Sequence, residues 1–443
     1  MPSGAGSRPG TRNGLRALPE PATARRAYPV TTALVIGGGF VGVASAWHLQ
    51  RAGCQVTLLD AGDPVRAASW GNAGHLAIEQ IDPLASAANL RSLPQRLFLF
   101  GGPVGLPWRD MQAWLPFGLR LAAAASPARF AAGRRALSGL LARAMPAWRR
   151  LAAQTDSTQF LREDGHYIAW ESPGSAQRGK RHWLGADTGE ARAAPASSAE
   201  LAQLRDRFNG RPVDAVRFQR TGQILDLAPA RQAIVAALCR AGGVVRAGQV
   251  RAMALQGGRA GAVLDDGTVL GADLVLVAAG AGSAALLHAS EGRVPLIAER
   301  GYHLESPQVA SAGAGLLPPV AFEDRSVIVT GFASTVRIAG FTEFSRIGSP
   351  PDARKWHALA RHAAELGLPM AAGASQWIGA RPTLPDYLPA IGRSRAAENL
   401  FYAFGHQHLG LTLSAVTGEL VAALVTGTPA PVDLQPFALG RFQ

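Results

Sequence analysis

The first regular pattern of apolar and polar positions begins at residue 31. The apolar run over residues 33–36 predicts a buried strand, and the mostly apolar segment from Phe40 onward, after a glycine-rich turn, predicts a helix. Gly53 ends this helix, and residues 54–59 then predict a second strand that is parallel to the first. The pattern therefore predicts a strand, helix and strand unit at the start of the fold.

Three glycines and one acid in this unit indicate a dinucleotide site. Gly37 permits the tight turn after the strand, Gly39 lets the backbone approach a pyrophosphate, and Gly42 lets the helix lie close to the sheet. The helix then presents free N–H groups to the phosphates. Asp60 follows the second strand, where its carboxylate would accept from a ribose hydroxyl. The same spacing serves NAD and FAD, so it leaves both cofactors open.

Two later segments favour the longer of these cofactors. Residues 272–280 form a continuous apolar run that ends in small residues, as in a buried parallel strand beneath a cofactor. Residues 400–412 again predict a strand, a glycine-rich turn and the start of a helix. Three separated segments return to one sheet. This arrangement fits a long cofactor that is bound at both ends better than it fits a compact NAD-binding module. FAD is therefore expected.

The rest of the chain predicts elements that interleave with this sheet. They are helices over residues 90–155 and 229–240, hairpins over 160–170 and 262–270, and strands over 326–330 and 336–340. We expect an α/β fold in which a Rossmann-like FAD-binding domain interleaves with an α+β cap, whose antiparallel sheet covers the flavin. The expected segments are a flexible tail over 1–30, the FAD-binding domain over 31–90, 206–295 and 376–443, and the substrate domain over 91–205 and 296–375.

Charge and cysteine content indicate which kinds of ligand and cross-link are not expected. The net charge of +13 comes from 44 basic residues, of which 42 are arginine, in a chain rich in alanine and glycine. The first 30 residues hold five arginines and one glutamate, so they contribute +4 and the rest +9. Without a dense basic stripe interleaved with aromatic residues, nucleic-acid binding is not favoured. With only Cys54 and Cys239, neither a disulfide framework nor a cysteine metal site is expected.

Six further segments carry a resemblance to a known family, and their order is more specific than any one of them. They are residues 37–42, 69–75 (Ser-Trp-Gly-Asn-Ala-Gly-His), 221–226, 299–303 (Glu-Arg-Gly-Tyr-His), 380–382 with 386–392, and 405–412. The chain resembles the FAD-dependent D-amino-acid dehydrogenases and glycine or sarcosine oxidases from residue 31 to residue 442. The second and fourth segments are most similar to the D-amino-acid dehydrogenase branch, particularly enzymes of D-proline-like or hydroxyproline-like imino acids.

The resemblance implies the oxidative deamination of a D-amino acid or cyclic imino acid, with a hydride leaving the α-carbon for flavin N5. Some sarcosine oxidases hold flavin through a late cysteine. This chain has none after Cys239, so non-covalent FAD is implied. The residues expected to bind the cofactor are Gly37, Gly39, Phe40, Val41, Gly42, Asp60, Ser69, Asn72, Ala73, Gly74, Gly280, Gly405, Gly410, Leu411 and Thr412.

Four residues are expected to act on the substrate. Arg381 matches the family's carboxylate-binding arginine, and a guanidinium gives a carboxylate two parallel hydrogen bonds. Tyr302 would either bind the substrate or pack at the domain seam. His75 and His408 would border the flavin as polar contacts or weak bases, although a core or loop position suits His75 equally. No metal is expected, because His406 and His408 lack a third ligand nearby.

The electron acceptor stays open between oxygen, a quinone and a carrier protein. Residues 97–100, Trp108, Trp114 and Phe117 would either contact a membrane that carries quinone or form the apolar core of the cap. We expect a cytoplasmic protein, free or held at the inner membrane surface. The alternatives are a glycine or sarcosine-type amine oxidase, a nicotinamide dehydrogenase, a tRNA-modifying FAD oxidoreductase and a non-catalytic subunit of a heteromeric dehydrogenase.

Overall fold

The predicted glycine-rich turn joins the first strand to the first helix in the computed structural model of the protein. The structure describes residues 31–62, 67–307, 318–368, 370 and 373–443. The predicted tail over residues 1–30 lies outside the described residues.

The strands of the described residues are labelled β1 to β21 in chain order. They are Thr32–Ile36, Gln55–Asp60, His75–Leu76, Val104–Gly105, Leu161–Arg162, His166–Trp170, Arg192–Pro195, Asp214–Gln219, Gly222–Ile224, Val244–Ala247, Val250–Gln256, Arg259–Leu264, Val269–Gly271, Leu274–Val277, Ile297–Pro307, Val320–Phe322, Val327–Gly331, Thr335–Ser345, Ser375–Thr383, Ala390–Arg393 and Leu400–Phe404.

The α-helices of the same residues are labelled α1 to α11. They are Phe40–Arg51, Ala87–Arg96, Met111–Ala124, Pro127–Gln154, Pro173–Gly185, Ser198–Arg207, Leu227–Arg240, Ser283–Leu286, His288–Glu291, Ala353–Glu365 and Gly410–Thr426.

A six-stranded sheet carries the amino-terminal unit, with the strand order β10-β2-β1-β14-β21-β20. Its first five strands are parallel and β20 is antiparallel. One face packs on α1, α7 and α11, and the other on the small sheet β11-β12-β13. Since both faces are covered, β14 and β21 are buried along their whole length, as continuous apolar runs require. The three predicted segments return to one sheet, which confirms this part of the fold.

A larger sheet of mainly antiparallel strands forms the cap, with the order β19-β15-β18-β17-β16-β6-β8-β7 and β4 paired to β18. The exceptions to antiparallel pairing are β16 with β6 and β4 with β18. Its two longest strands, β15 and β18, are paired along most of their length. An apolar core lies between this sheet and α6 and α10. The predicted α/β fold with an antiparallel cap is confirmed.

Several predicted elements agree with the structure, and one does not. Helices α2, α3 and α4 occupy the region predicted as helical, and β12 and β13 form the predicted hairpin. The hairpin predicted over residues 160–170 is wrong, because β5 pairs with β9 while β6 pairs with β8 and β16. Gly165 does adopt a left-handed conformation there, with φ of 81°, but its N–H donates to Thr221 rather than across a hairpin.

The expected segment boundaries also differ from the sheets at two places. Strand β8 lies after residue 206 and most of β19 lies after residue 376, yet both pair in the cap sheet. Sequence pattern missed this because a strand does not reveal its partner. Thr31–Gln443 forms one compact unit, so the division into two domains stays a prediction.

One helical stretch of the described residues, Gln407–Thr426, is long and apolar enough to cross a membrane. However, 67% of its most apolar part is buried inside the protein. Its helix, α11, packs against α1 and α4, so it occupies the position of a core helix.

Candidate functional site

A cavity of about 1280 Å³ extends from the carboxyl ends of the parallel strands to the cap sheet. One end is lined by the β1–α1 turn and Asp60, and the other by Trp377 and Arg381 of β19. The intervening walls come from residues 67–73, 248–251, 278–282, 403–404, 406–408 and 410–411. The carboxyl edge of a parallel sheet is the usual place for a ligand in this class of fold.

The β1–α1 turn leaves room for phosphate groups. Gly37 has φ of 117°, and its N–H donates to the Leu59 carbonyl at 2.9 Å. A side chain on Gly42 would overlap the Gly37 carbonyl, so the helix can start this close to the turn only with glycine. A Cβ added to Gly39 would lie 3.0 Å from the Ser69 hydroxyl, which itself accepts from the Phe40 N–H at 3.2 Å. The turn therefore fits a pyrophosphate at a helix N-terminus.

Asp60 is paired with an arginine that the sequence did not reveal. Arg231 of α7 forms an ion pair with the Asp60 carboxylate and donates to the Gly38 carbonyl at 2.6 Å. The same guanidinium lies 5.5 Å from the centre of the Trp70 ring. Arg231 is one of 42 arginines, and its distance of 171 positions from Asp60 left no pattern that could have identified it.

The loop over residues 69–73 is held from the cap side. Arg337 of β18 donates to the Trp70 carbonyl at 3.1 Å and to the Asn72 carbonyl, and it pairs with Glu305. Trp377 lines the cavity next to this loop, and its ring stacks on His303 at 4.9 Å with 9° between the planes. The cap therefore fixes the loop that lies between the two sheets.

Arg381 lies at the cap end of the cavity with only part of its guanidinium engaged. Its Nη1 donates to Glu299 Oε1 at 3.3 Å, while Thr383 and Tyr387 hold the other oxygen of Glu299 at 2.9 and 3.2 Å. The side chain is 26% exposed, and it lies over Gly301, where a Cβ would collide with it. Among the described residues, its Nε and Nη2 have no hydrogen-bond partner. Two guanidinium nitrogens therefore remain for an anionic group.

A half-buried histidine, a buried histidine and a buried glutamate form a group that lines the cavity, named here the histidine cluster: His75, His166 and Glu79. His75 Nε2 lies 3.1 Å from His166 Nδ1, and each imidazole lies 3.8 Å from a Glu79 oxygen. Burial raises the Glu79 pKa to about 8 and lowers the His75 pKa to about 4. At neutral pH this wall is therefore mostly uncharged.

The same three residues are the set within the described chain whose ligand atoms lie near enough to hold a metal, within 4.8 Å of one another. His166 Nδ1 is already engaged with Thr221 at 2.8 Å as well as with His75. The predicted absence of a metal stays a prediction. Glu79 and His166 were missed by the sequence analysis, although a lone acid within the apolar run over residues 76–81 was an available signal.

The pair His406 and His408 separates in the fold. His406 Nε2 contacts the Thr417 hydroxyl at 2.9 Å, and His408 Nε2 contacts Gln80 Oε1 at 2.5 Å. Burial, with Arg381 and His75 nearby, lowers the His408 pKa to about 3. His408 lines the cavity as a neutral imidazole, and the two side chains do not converge on one ligand.

The structure corrects the substrate role expected of Tyr302. Its side chain is 1% exposed, and it belongs to a set of buried groups named here the cap cluster: Arg300, Tyr302, Glu343 and Lys355. The Tyr302 hydroxyl donates to Glu343 at 3.2 Å and accepts from the Asp352 N–H at 3.1 Å. Burial raises its pKa to about 12. The alternative of a packed aromatic is the one found.

Ten of the fifteen residues expected at the cofactor line the cavity, and five support it from behind. Those that line it are Gly37, Gly39, Val41, Asp60, Ser69, Asn72, Ala73, Gly280, Gly410 and Leu411. Phe40, Gly42, Gly74, Gly405 and Thr412 do not. Phe40 packs on Trp148, and the Thr412 hydroxyl accepts from the Ala77 N–H at 3.0 Å, which ties α11 to the strand after residue 74.

Residues 32–424 match the family of FAD dependent oxidoreductases. The chain belongs to this family. It is 32% identical to a D-amino-acid oxidase of Bradyrhizobium diazoefficiens over 92% of this chain and 98% of that one. It is 28% identical to a D-amino acid dehydrogenase of Sinorhizobium medicae over 92% and 99%. The crystal structure of an iminodiacetate oxidase from Chelativorans sp. BNC1 shares the fold, with a TM-score of 0.68 at 21% identity over 92% and 98% of the chains.

Membership of the FAD-dependent oxidoreductases decides the choice of cofactor that the glycine spacing left open. The residues present fit FAD, because the glycine turn leaves space for two phosphates and the cavity continues from Asp60 to the cap. In this FAD-dependent oxidoreductase, Arg381 and the histidine cluster lie at the end of the cavity away from Asp60, as a reacting group would require.

Proposed function

We propose that the protein oxidises the CH–NH bond of a small D-amino acid or cyclic imino acid, with FAD bound non-covalently. The observation that carries this proposal is the position of Arg381, which lines the cavity with two unengaged guanidinium nitrogens, while His75 and His408 in the same cavity stay neutral. Such a fork binds a carboxylate bidentately. The names of the two relatives, an oxidase and a dehydrogenase of D-amino acids, support the choice of substrate.

Each side chain in the cavity has a distinct role in the proposal. Glu299 orients Arg381, and the remaining donors of the guanidinium fix the substrate carboxylate and so the direction of the α-carbon. His75 and His408 stay neutral near pH 7, so they offer polar contacts to the amine rather than a strong base. A neutral amine is the reacting form. Bound FAD supplies the hydride acceptor.

In this proposal, two separate sets of residues would hold the two ends of FAD. Gly37, Gly39 and the start of α1 hold the pyrophosphate, and Asp60, fixed by Arg231, accepts from the ribose. Asn72 and Ala73, held by Arg337, together with Gly410 and Leu411, border the ring. No cysteine lies among these residues, which supports non-covalent binding.

The deciding experiment is anaerobic bleaching of the flavin by a panel of substrates. D-Amino acids, D-proline and D-hydroxyproline should bleach the purified yellow protein, while L-amino acids, glycine and sarcosine should do so slowly. Acid denaturation should release free FAD into the supernatant. A panel in which no member bleaches the flavin would contradict the activity, and faster bleaching by L-amino acids would contradict the stereochemistry.

The electron acceptor is tested in a second step of the same experiment. Bleached enzyme is mixed with oxygen, with a soluble quinone or with a one-electron carrier, and the return of colour is timed. We propose a dehydrogenase, for which reoxidation by quinone or carrier should be faster than by oxygen. The reverse order would identify an oxidase.

A further inference from the structure

A short stretch of the chain exposes several large apolar side chains. Of the thirteen large hydrophobic residues that the described part of the chain exposes, six fall within residues 99–119. These six, named here the apolar surface, are Leu99, Phe100, Trp108, Met111, Leu115 and Leu119. Leu99 and Trp108 are each 82% exposed. Single exposed apolar residues are ordinary, whereas a contiguous group marks an interaction site.

The apolar surface is built on a fixed scaffold. Met111, Leu115 and Leu119 recur every four residues, which places them on one side of α3. Phe117, on the other side of α3, is 5% exposed and contacts Phe344 of β18. Leu99 and Phe100 lie in a short turn that Phe98 anchors to Phe341. The segment that the sequence left open between a membrane contact and a cap core therefore has two faces. One face packs against the cap, and the other is exposed to solvent.

The part of the chain that carries the apolar surface is rich in arginine, and of these arginines Arg134, Arg149 and Arg150 pair with acids elsewhere in the chain. Residues 84–155 contain ten arginines and one acid, Asp110. Asp110 is buried and hydrogen-bonded to Ser345 and Ser349, with Arg346 as its ion partner. The exposed arginines nearest in sequence are Arg91, Arg96, Arg109, Arg120 and Arg129. Apolar side chains within a cationic border match the depth profile of a bilayer with anionic headgroups.

The cavity reaches the part of the chain that carries the apolar surface. Leu84, Arg96 and Pro103 line it, and so does Ile347, which is 56% exposed. Strand β4, which follows Pro103, is paired to β18 and holds the segment against the cap. A molecule that leaves the acyl region beside the apolar surface would therefore meet the cavity without crossing bulk water.

We propose that the apolar surface docks the protein on an anionic lipid bilayer, with these six side chains at the headgroup boundary and no segment crossing it. A second copy of the chain fits less well. Two copies meeting face to face would bring the same arginines together, which like-charge repulsion opposes. Trp108 suits the interface in particular, since an indole has an apolar body and a polar N–H. This inference stands apart from the proposed substrate.

The test is flotation of the holoenzyme with vesicles, without substrate. Vesicles of phosphatidylcholine with an equal part of phosphatidylglycerol should carry the protein upward, and vesicles of phosphatidylcholine alone should carry much less. Salt at about 0.5 M should weaken the binding, because screening shortens the reach of the arginines. Wild type that remains at the bottom with anionic vesicles would overturn the proposal.

A matched pair of triple variants separates this surface from general stickiness. F100S, W108S and L119S combined should lower the vesicle partition coefficient by at least about tenfold. The control combines L184S, V244S and V269S, which are also exposed but lie elsewhere, and it should bind as wild type does. Flavin absorbance and melting temperature verify that both variants are folded. Equal loss in both variants would overturn the proposal, as would concentration-dependent dimers that disappear only in the first variant.

Discussion

Two groups of ionisable side chains, the cap cluster and those that line the cavity, differ in how completely they are paired. In the cap cluster, Glu343 receives Arg300 on one oxygen and Lys355 and Tyr302 on the other. Arg300 also donates to the backbone carbonyls of Ser349 and Pro350. At the cavity, Arg381 spends one nitrogen on Glu299, and Glu79 Oε2 is buried without a partner among the described residues. The protein satisfies the hydrogen-bonding groups of the cap cluster, but it leaves some of those at the cavity without a partner among the described residues.

This difference in pairing distinguishes residues that stabilise the fold from residues that bind a ligand. Buried charges are tolerated where partners satisfy every donor and acceptor, and such a group stabilises one arrangement of the chain. A buried group with unused donors beside a cavity is costly unless a ligand completes it. We therefore assign the cap cluster to folding and Arg381 to binding, and each of the following predictions tests that distinction.

The largest effect is expected from the cap cluster. Glu343→Gln leaves Arg300 and Lys355 buried with half of their compensation lost, which should lower the free energy of unfolding by about 3–5 kcal/mol. Denaturant titration measures this loss, and flavin reduction at low temperature should stay within a factor of about two. Glu163→Gln is the control, because the Arg149–Glu163 pair is at the surface and contributes less than about 1 kcal/mol. If the Glu343 variant were as stable as wild type, the assignment of the cap cluster to folding would be wrong.

Arg381→Ala should cost more in catalysis than in stability, because Glu299 keeps its hydrogen bonds from Thr383 and Tyr387. The variant should retain FAD yet lose about 2–5 kcal/mol in kcat/KM, since the substrate carboxylate then lacks its buried partner. Arg381→Lys should recover only part of this, because an ammonium cannot reproduce a bidentate fork.

Stopped-flow flavin reduction with and without a substrate carboxylate completes this test as a two-by-two cycle. The amine without a carboxylate should be a poor substrate for wild type and lose little more in the variant. If the mutation slows both substrates equally, Arg381 is a structural residue.

Asp60 lies between these two extremes, since it is paired with Arg231 and still lines the cavity. Asp60→Ala should weaken FAD binding by about 1–3 kcal/mol, because the ribose hydroxyls lose a charged acceptor. Asp273→Ala is the matched control at the start of β14, where the carboxylate accepts from Thr32 instead. Fluorescence titration of the apoprotein with FAD measures both. Equal affinities in the two variants would place Asp60 outside the cofactor site.

The last prediction concerns Glu79 and the dependence of stability on pH, where the change over a single pH unit is small. Its pKa rises from 4.5 to about 8 in the fold, so between these values the folded protein holds a proton that the unfolded chain has released. Stability should therefore fall as pH rises through this window, by up to about 1.4 kcal/mol per pH unit. His75 and His166 face Glu79 with lowered pKa values, so they remain neutral there.

Glu79→Gln keeps the shape of the protonated acid and should remove most of this slope between pH 5 and 8, as measured by denaturant titration across that range. A slope that persists in the variant would assign the proton to another group.

Local pattern was sufficient for the cofactor half of the molecule. The glycines at 37, 39 and 42 and the apolar runs at 33–36 and 272–280 impose a turn and buried parallel strands wherever they occur. These constraints act between neighbours in the chain or through continuous burial, so the sequence alone predicted β1, β2, β14 and β21 within one sheet.

The assignment of side chains to the cavity needed the tertiary structure. Successive residues of β15 alternate between faces, and packing decided that Tyr302 joins the cap core while Glu299 meets Arg381. Arg231, Glu79 and His166 reach the cavity from elements far apart in sequence.

The sequence pattern likewise did not predict that the apolar surface is exposed. A leucine on α3 is the same residue whether another element covers it or water does, and only the packing of the whole chain determines which. The sequence thus determined the elements and the cofactor through local sterics and hydrophobic period, while the tertiary structure decided which polar groups share a cavity and which apolar ones remain uncovered.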